Sequence, residues 1–407
     1  MNTLRVGFAR ERITPDKPVH MAGYGYRNGL SLGVHDELCT NAVALSNGIE
    51  TVLILTTDLV SFDLEGNTEL KGAITAATGL AQESIITNTS HTHAGPMVVR
   101  NAYQPFEAAY FGSLLVTCAQ AARQALATLS SATLLVGAEP LDIGKNRRFR
   151  TSEGAVSMIP NPAGQTLPEV TVWRLQRACG EDVVLWTAPI HGVVMHEDNL
   201  LISAECMGAA VRDVEIAQPG LKAVFLQGCC GDQNPYRELN SFDQVDALGR
   251  TAGQAIRTAL NGSCEVATLP LANRYAEVSL PVDQDKLPPE PVLIPDGPRP
   301  QRPPRDHQFL PLHGLRLGDA LMVGMAGEPF VEYAYFGRNV SPAASTMILG
   351  YTDSTINYLP TAQAYREGGY EPGAWIWYPE GKPWLPSIEG ILKGALSTMI
   401  NDLWKEA

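Results

Sequence analysis

Two histidines separated by a single residue are the feature of this chain whose chemistry is easiest to specify. His91 and His93 follow the apolar run 84–87, which predicts a strand, and precede the sequence Ala-Gly-Pro, where regular structure should end. Residues two apart on a strand point to the same side. The two imidazoles can therefore converge on a metal ion, or one can bind metal while the other contacts substrate. The alternative is a pair of ordinary surface or core histidines.

Two further candidate ligands also stand at predicted strand ends. His191 follows the apolar run 183–186, and Glu328 follows the apolar run 321–325. Two histidines and one carboxylate suit zinc with an open coordination position. A metal there would lower the pKa of a water molecule and polarise a carbonyl group. Taken singly, His191 could be a buried histidine with satisfied hydrogen bonds, and Glu328 an acid at a helix N-terminus.

A loop of turn-forming residues follows another predicted strand, 223–226. It runs from residue 228 to 235 and contains Asp232 and Asn234. The loop is either a tight connection or a backbone-rich cradle beside the metal. The sequence has no GxSxG motif, no Walker loop and no GxGxxG after a strand, so serine-esterase, nucleotide-binding and dehydrogenase functions have no support.

The elements that must position these residues alternate irregularly between strands and helices. Apolar runs predict strands and helical spacing predicts helices. The pattern predicts a mixed α/β (α+β) fold of layered β-sheets flanked by helices, rather than a strict barrel. We find no internal sequence repeat. The predicted strands are 51–56, 84–87, 133–136, 170–175, 183–186, 223–226, 320–325 and 346–349, and the predicted helices are 105–129, 205–216, 245–260 and 388–405.

A proline-rich stretch at about 281–311 interrupts this pattern. Its prolines fix φ and remove backbone donors, so regular structure is not expected there. It is either a surface connection or a lid over a pocket. Because candidate site residues occur on both sides of it, we expect residues 1–407 to form a single domain with an excursion at this stretch.

Composition limits the partners and the compartment. The net charge of -13 argues against nucleic acid or an anionic membrane surface as a partner. No apolar window is long enough for a stable membrane anchor, and no signal peptide is recognisable. Seven cysteines without a CxxC pair indicate reduced thiols, hence a cytoplasmic protein. A small-molecule or amphipathic substrate is expected, and a homodimer is expected from prevalence alone.

Several separated segments, taken in order, resemble the catalytic domain of the neutral (non-lysosomal) ceramidases, amidases that cleave N-acyl-sphingosine. Residues 88–96 are similar to the HTHxGP signature of that family, and residues 231–235 are similar to its Gly-Asp-Val-Ser-Pro loop. The pieces span nearly the whole chain, and the remaining ones are residues 6–15, 21–24, 33–38, 146–147, 191–192, 201–205, 327–328 and 357–361.

The resemblance implies a metal site and roles for its neighbours. One Zn²⁺ would be held by His91, His191, Glu328 and Tyr358. His93 and Arg147 would face the substrate, Arg147 as a clamp for an oxygen-rich group. Asp232 and Asn234 would lie in the catalytic loop, with Asn234 in place of the family's active-site serine. The C-terminal sandwich-like domain of the family has no counterpart in this sequence.

The function implied is therefore a zinc-dependent hydrolase that cleaves an amide bond of an N-acyl compound by zinc-activated water. Asparagine cannot form an acyl-enzyme in the way serine does, although its amide group can donate to an oxyanion. For this reason a substrate other than ceramide is expected. The alternatives are a metal-dependent hydrolase of an ester, lactone or glycoside, and a metal-binding ligand sensor without catalytic activity.

Overall fold

The computed structural model describes residues 3–101, 103–236, 239–287 and 306–405. Its strands are β1 (Arg5–Arg12), β2 (Gly33–Val34), β3 (Cys39–Ser46), β4 (Thr51–Thr57), β5 (Ile85–Thr89), β6 (Ser130–Pro140), β7 (Gly144–Asn146), β8 (Arg148–Arg150), β9 (Val156–Met158), β10 (Glu169–Arg177), β11 (Asp182–Ala188), β12 (Leu201–Ile202), β13 (Leu221–Gln227), β14 (Gln233–Pro235), β15 (Cys264–Val266), β16 (Leu271–Pro281), β17 (His307–Leu317), β18 (Ala320–Met325), β19 (Glu328–Pro329), β20 (Ser345–Leu349) and β21 (Tyr358–Leu359). Its helices are α1 (Leu64–Thr78), α2 (Ala108–Ala127), α3 (Glu205–Ala217), α4 (Phe242–Asn261), α5 (Val331–Val340), α6 (Ala362–Glu367), α7 (Tyr370–Gly373) and α8 (Ile388–Lys405).

Most of the strands belong to two mixed sheets. The larger has nine strands in the order β13-β11-β10-β6-β1-β3-β4-β5, with β15 paired to β6. The smaller has the order β16-β17-β18-β20. Neighbours are antiparallel except for the pairs β4/β5, β11/β13 and β18/β20, which are parallel. A parallel pair needs a long crossover, and α1, α3 and α5 supply the three crossovers.

One arrangement of elements therefore occurs three times along the chain. Three strands pair antiparallel, a helix crosses to a fourth strand parallel to the third, and a further helix follows. The three units are β1-β3-β4-α1-β5-α2, β6-β10-β11-α3-β13-α4 and β16-β17-β18-α5-β20-α8. The sequence shows no repeat because many combinations of apolar side chains satisfy the same packing.

The two sheets pack face to face, and helices cover their outer faces. Apolar side chains of both sheets, such as Leu226 and Met347, form one shared core. The other face of the larger sheet packs on α2 and α4, and that of the smaller sheet packs on α8. Strands covered on both faces read as continuous apolar runs, as in β4. Each fully buried large apolar side chain contributes about 1.5–3 kcal/mol to this packing.

The predicted mixed fold of layered sheets and flanking helices is confirmed, and each predicted strand and helix has a counterpart within a few residues. Sequence periodicity missed α1, which contains two glycines and depends on its ends. The Asp63 carboxylate accepts from the Gly66 amide at its start, and Gly79 ends it at a φ of 76°. Within the proline-rich stretch, residues 288–305 lie outside the described residues, and the expectation of no regular structure is wrong for 307–311, which begin β17 and pair with β16. No described helix is long and apolar enough to cross a membrane.

The two edges of the larger sheet approach each other at the ends of β5 and β13. The Gln227 amide donates to the Asn88 side chain at 2.8 Å, and the Gln227 side chain donates to the carbonyls of Ser90 and Ile190 at 2.8 and 2.9 Å. Beyond β20, the Gly350 amide donates to the Gln227 carbonyl at 3.2 Å. The fourth strands of the three units therefore end side by side, and the loops that follow them meet.

Candidate metal centre

Loops from all three units surround the candidate centre at the carboxyl ends of their third and fourth strands. The third residue after β4, β11 and β18 is Val60, His191 and Glu328, respectively. The second residue after β5 and β20 is His91 and Tyr351. All five of these residues are buried. Equivalent positions of the repeated unit thus supply most of the centre.

His91 and His191 face each other through their Nε2 atoms, which lie 3.1 Å apart. Nδ1 of His91 donates to the Val60 carbonyl at 2.7 Å, and Nδ1 of His191 donates to the Cys230 carbonyl at 2.8 Å. A carbonyl only accepts, so in each neutral ring the proton is on Nδ1 and Nε2 carries an unshared pair. Two such pairs pointing at each other form a site that a cation would satisfy.

Backbone geometry holds the two rings in this position. His91 adopts a left-handed φ of 59°, and its amide donates to the Leu59 carbonyl at 2.9 Å. Gly192 pairs with Thr92, and a Cβ at Gly192 would lie only 2.6 Å from the His91 carbonyl oxygen. The close approach of the two histidine loops therefore requires glycine beside His191.

Burial also keeps the two imidazoles in the form that binds metal. Burial lowers the pKa of His91. The pKa of His191 is lowered further, first by burial and then by the nearby Arg147 guanidinium and the other two histidines. Both rings are consequently neutral near pH 7, with an Nε2 pair available for coordination.

Glu328 places a carboxylate against both rings. Its Oε2 lies 3.5 Å from Nε2 of His91 and 3.4 Å from Nε2 of His191. Tyr351 donates its hydroxyl to Oε2 at 2.9 Å, and Tyr378 donates to Oε1 at 2.5 Å. The two phenols fix the orientation of the carboxylate in the way that outer groups orient metal ligands.

His93 adds a third imidazole next to His91 and His191. Its Nε2 is 3.1 Å from Nε2 of His91, and its ring makes an edge contact with Tyr24 at 5.0 Å between centroids. The ligand atoms of His91, His93 and His191 all lie within 4.8 Å of one another. This cluster could hold a metal ion, and the donor set of imidazole nitrogens with a nearby carboxylate fits zinc chemistry.

Arg147 connects the candidate ligands to the loop after β13. Its Nη1 lies 3.2 Å from Oδ1 of Asn234 and 3.4 Å from Nε2 of His191, and its Nη2 donates to the Tyr358 hydroxyl at 3.1 Å. Nε donates to Glu371 at 3.0 Å. Burial alone would lower the pKa of Arg147, but Tyr358 and Glu371 raise it well above its ordinary value. The guanidinium is therefore a permanent, fixed cation at the floor of the site.

Asp232 supports Arg147 from behind. One carboxyl oxygen accepts from the Val331 amide at 3.0 Å, at the first residue of α5, and the other accepts from the Asn146 side chain at 2.8 Å. The Asp232 carbonyl accepts from the Arg147 amide at 2.9 Å. These contacts give Asp232 a positioning role, and a catalytic role for its carboxylate stays a prediction.

A pocket of about 350 Å³ opens over these groups. Of the residues singled out in the sequence, Asp232 is not part of its lining, while His91, His93, Arg147, His191, Asn234, Glu328 and Tyr358 all are. The structure thus gathers residues that are far apart in the chain around one cavity. The assignment of four of them as metal ligands, Tyr358 included, stays a prediction, as do the substrate-facing roles.

Sequence reasoning missed several residues that shape the centre. Tyr351 follows the apolar run 346–349, so the strand-end reasoning applied to the histidines would also have singled it out. Glu371 lies in α7 and Tyr378 directly follows the helical turn Ala374–Trp377; no apolar strand precedes either residue, and no local signal marks them. They reach the site only through the tertiary fold.

Comparisons with known proteins place this architecture in a defined structural class. No protein-family model matches the sequence, and a search of curated proteins finds no match. Among solved structures, the fold is similar to that of neutral ceramidase from Pseudomonas aeruginosa, with a TM-score of 0.81 and 18% sequence identity over 100% of this chain and 75% of that chain. A ceramidase complexed with C2 is similar with a TM-score of 0.79 and 18% identity, over 100% of this chain and 76% of that chain.

The described chain therefore has the fold of a neutral-ceramidase-like catalytic domain. The resemblance seen in separate sequence motifs is confirmed at the level of the fold, across the full length of this chain. The change from serine to Asn234 is not tested by the comparison.

Proposed function

We propose that the protein is a zinc-dependent hydrolase that cleaves the amide bond of a small or amphipathic N-acyl compound. The observation that carries the proposal is the facing pair of unprotonated Nε2 atoms of His91 and His191, with the Glu328 carboxylate beside them. The choice of an amide bond is supported by the fold shared with neutral ceramidases.

His91, His191 and Glu328 would hold the zinc ion, with Tyr358 as the fourth ligand. When bound, zinc supplies Lewis acidity that polarises a carbonyl group and lowers the pKa of a water molecule. The protein contributes orientation, because backbone carbonyls fix both imidazoles and two phenols fix the carboxylate.

Arg147 and Asn234 would stabilise the negative charge that develops on the carbonyl oxygen. The guanidinium is buried and held by Glu371, so it needs no reorganisation during the reaction. Asn234 is held against Nη1 of Arg147 and has an amide group but no nucleophilic hydroxyl. His93 lines the same pocket and would carry a proton to the leaving amine.

The test compares metal content and turnover in the same preparations. We expect the purified protein to lose turnover of N-acyl amides on chelation and to regain it with zinc. His91→Ala should lose both zinc and activity. His93→Ala should keep the zinc stoichiometry while kcat falls by about 10²–10⁴-fold, the usual contribution of a positioned proton carrier. Full activity of the chelated protein would refute zinc dependence.

A panel of substrates identifies the type of bond that the protein cleaves. It should pair each N-acyl amide with the matching ester and include lactones and glycosides. Turnover confined to esters, lactones or glycosides would reject amide hydrolysis and keep the metal-dependent hydrolase. Failure of the zinc-loaded protein to turn over any member would support a metal-binding ligand sensor instead.

A further inference from the structure

Three aromatic side chains meet at the opening of the pocket and form what we call the aromatic bridge: Tyr26, Tyr103 and Trp377. The Trp377 ring centroid lies 4.3 Å from that of Tyr103 and 6.5 Å from that of Tyr26. Tyr26 is 76% exposed and Tyr103 is 41% exposed, which places them at the rim. Trp377 is only partly exposed and joins them across the opening.

The aromatic bridge is anchored to the floor of the pocket through a short segment. Tyr103 donates its hydroxyl to the Ile376 carbonyl at 3.4 Å, next to Trp377. The residue after Trp377 is Tyr378, whose hydroxyl bonds the Glu328 carboxylate at 2.5 Å. The distance from the candidate metal ligands to the aromatic bridge is therefore set by two consecutive residues.

Most of the pocket lining outside the candidate ligands is apolar or aromatic, with Val60, Met97, Val99 and Val193 as its apolar walls. Glu197 also lines the pocket, and the charged groups of its floor are Arg147 and Glu328. The volume of about 350 Å³ lies at the lower end of the roughly 300–1,000 Å³ found for ligand pockets. Such a cavity takes a compact apolar group and does not enclose a compound with two long hydrocarbon chains.

We infer that the substrate carries a short acyl chain and that Trp377 sets the limit on its length; this rests on the proposed amide hydrolysis. The acyl side is the part enclosed, because a bound zinc ion and the Arg147 cation would together outweigh the negative charges of Glu328 and Glu371 at the floor. A carboxylate product is attracted to such a floor, and an alkylammonium product is repelled by it. Beyond the length that reaches Trp377, further methylene groups meet the aromatic bridge.

Straight-chain alkanoates, from acetate to palmitate, test this limit as product analogues. Their affinity for the zinc-loaded protein is measured by isothermal titration calorimetry. Each methylene group that enters the apolar walls should tighten binding about fourfold, equivalent to about 0.8 kcal/mol. In the unsubstituted protein this rise should stop at a short chain length. In Trp377→Ala it should continue to longer chains, and Trp377→Leu is a second variant should the first not fold.

Two matched variants separate length selection from a general loss of aromatic packing. Trp377→Phe retains a ring and should move the limit by less than Trp377→Ala does. Trp375→Ala removes the other tryptophan of the same turn, which does not line the pocket, and should leave the limit in place. Circular dichroism and zinc content confirm that each variant is folded and loaded.

The outcomes distinguish the two proposals. An affinity that rises without a limit in the unsubstituted protein, or a limit that stays in place in both Trp377→Ala and Trp377→Leu, overturns the role of Trp377. A limit that moves while no amide is cleaved keeps the chain-length role and rejects amide hydrolysis. Amide cleavage together with an alkanoate affinity that does not depend on chain length keeps amide hydrolysis and rejects the chain-length role.

Discussion

Nε2 of His91 and Nε2 of His191 lie 3.1 Å apart, and neither carries a proton, because each ring donates its Nδ1 proton to a backbone carbonyl. Two unshared pairs at this distance repel each other. Glu328 adds a carboxylate oxygen within 3.5 Å of both nitrogens. A cation bound here would join loops from all three repeated units. It would therefore stabilise the fold as well as serve the proposed catalysis.

Zinc should therefore stabilise the folded chain measurably. At a free zinc concentration about 100-fold above Kd, the expected gain in unfolding free energy is about 2.7 kcal/mol. The His191→Ala variant should lose this gain, as measured by thermal unfolding with and without zinc. His307→Ala removes a half-exposed histidine outside the site and serves as the control. An equal gain in the His191→Ala variant would place the zinc elsewhere.

Replacing Glu371 should disable Arg147. The Glu371 carboxylate binds Nε of Arg147 at 3.0 Å and also contacts the Arg148 guanidinium, and it is almost fully buried. Glu371→Ala leaves buried cations unpaired and should lower the unfolding free energy by about 3–5 kcal/mol. Glu371→Gln keeps the shape of the side chain, and its main effect should be a lower kcat.

The matched control for this position is Glu367→Gln. Glu367 lies 3.7 Å from Arg148, with 25% of its side chain exposed. Solvent screening limits such a partly exposed pair to about 0–1 kcal/mol. Equal losses of kcat in Glu367→Gln and Glu371→Gln would mean that Glu371 does not act through Arg147.

Substitution of Asn234 distinguishes an electrostatic role from a covalent one. Its side-chain oxygen accepts from Nη1 of Arg147 at 3.2 Å. If Asn234 stabilises an oxyanion, Asn234→Ala should lower kcat about 10²–10³-fold. Asn234→Ser, which introduces the residue that the motif resemblance implies for this position, should retain part of the activity. Trapping of an acyl-enzyme in the unsubstituted protein, detected by mass spectrometry, would contradict a mechanism without a covalent intermediate.

A buried ion cluster outside the pocket predicts how stability depends on pH. Asp353 binds Lys71 at 2.7 Å and His313 at 2.8 Å. Burial alone would raise the pKa of Asp353, but His313 and Lys71 lower it well below its usual range. Its folded-state pKa is thus below the unfolded value of about 3.9. Its contribution to stability is present above about pH 4 and is lost as the pH falls towards the folded-state pKa.

The Asp353→Asn variant should reveal this pH dependence of stability directly. At pH 7 it leaves Lys71 buried without its carboxylate, at an expected cost of about 3–5 kcal/mol. Below pH 4 the difference from the unsubstituted protein should shrink, because Asp353 becomes protonated in the unfolded chain while the folded-state carboxylate is still charged, and this favours the unfolded state. Urea unfolding at a series of pH values measures the cost at pH 7 and its decrease below pH 4. A difference that stays constant down to the lowest pH would show that the charge of Asp353 is not what stabilises the fold.

The sequence by itself determined eight of the strands, four of the helices and several of their chemically important ends. Continuous apolar runs marked strands covered on both faces, and His91 and His191 were recognisable because they follow such runs. Helix α1 was not predicted, because its glycines and its capping residues Asp63 and Gly79 carry no apolar periodicity. Local pattern therefore accounts for the strands formed by continuous apolar runs, whereas it missed α1 and the long strands β1, β3, β16 and β17.

Only the tertiary structure decided which of these ends meet. β5 and β13 lie at opposite ends of the strand order, and they come together because Asn88 and Gln227 bond across the sheet edges. Glu371 and Trp377 enter the site from short turns whose sequences contain no trace of the cavity they line or support. Local sequence encodes the periodicity of each element, whereas the pairing of distant edges depends on contacts between residues more than a hundred positions apart, which no local pattern specifies.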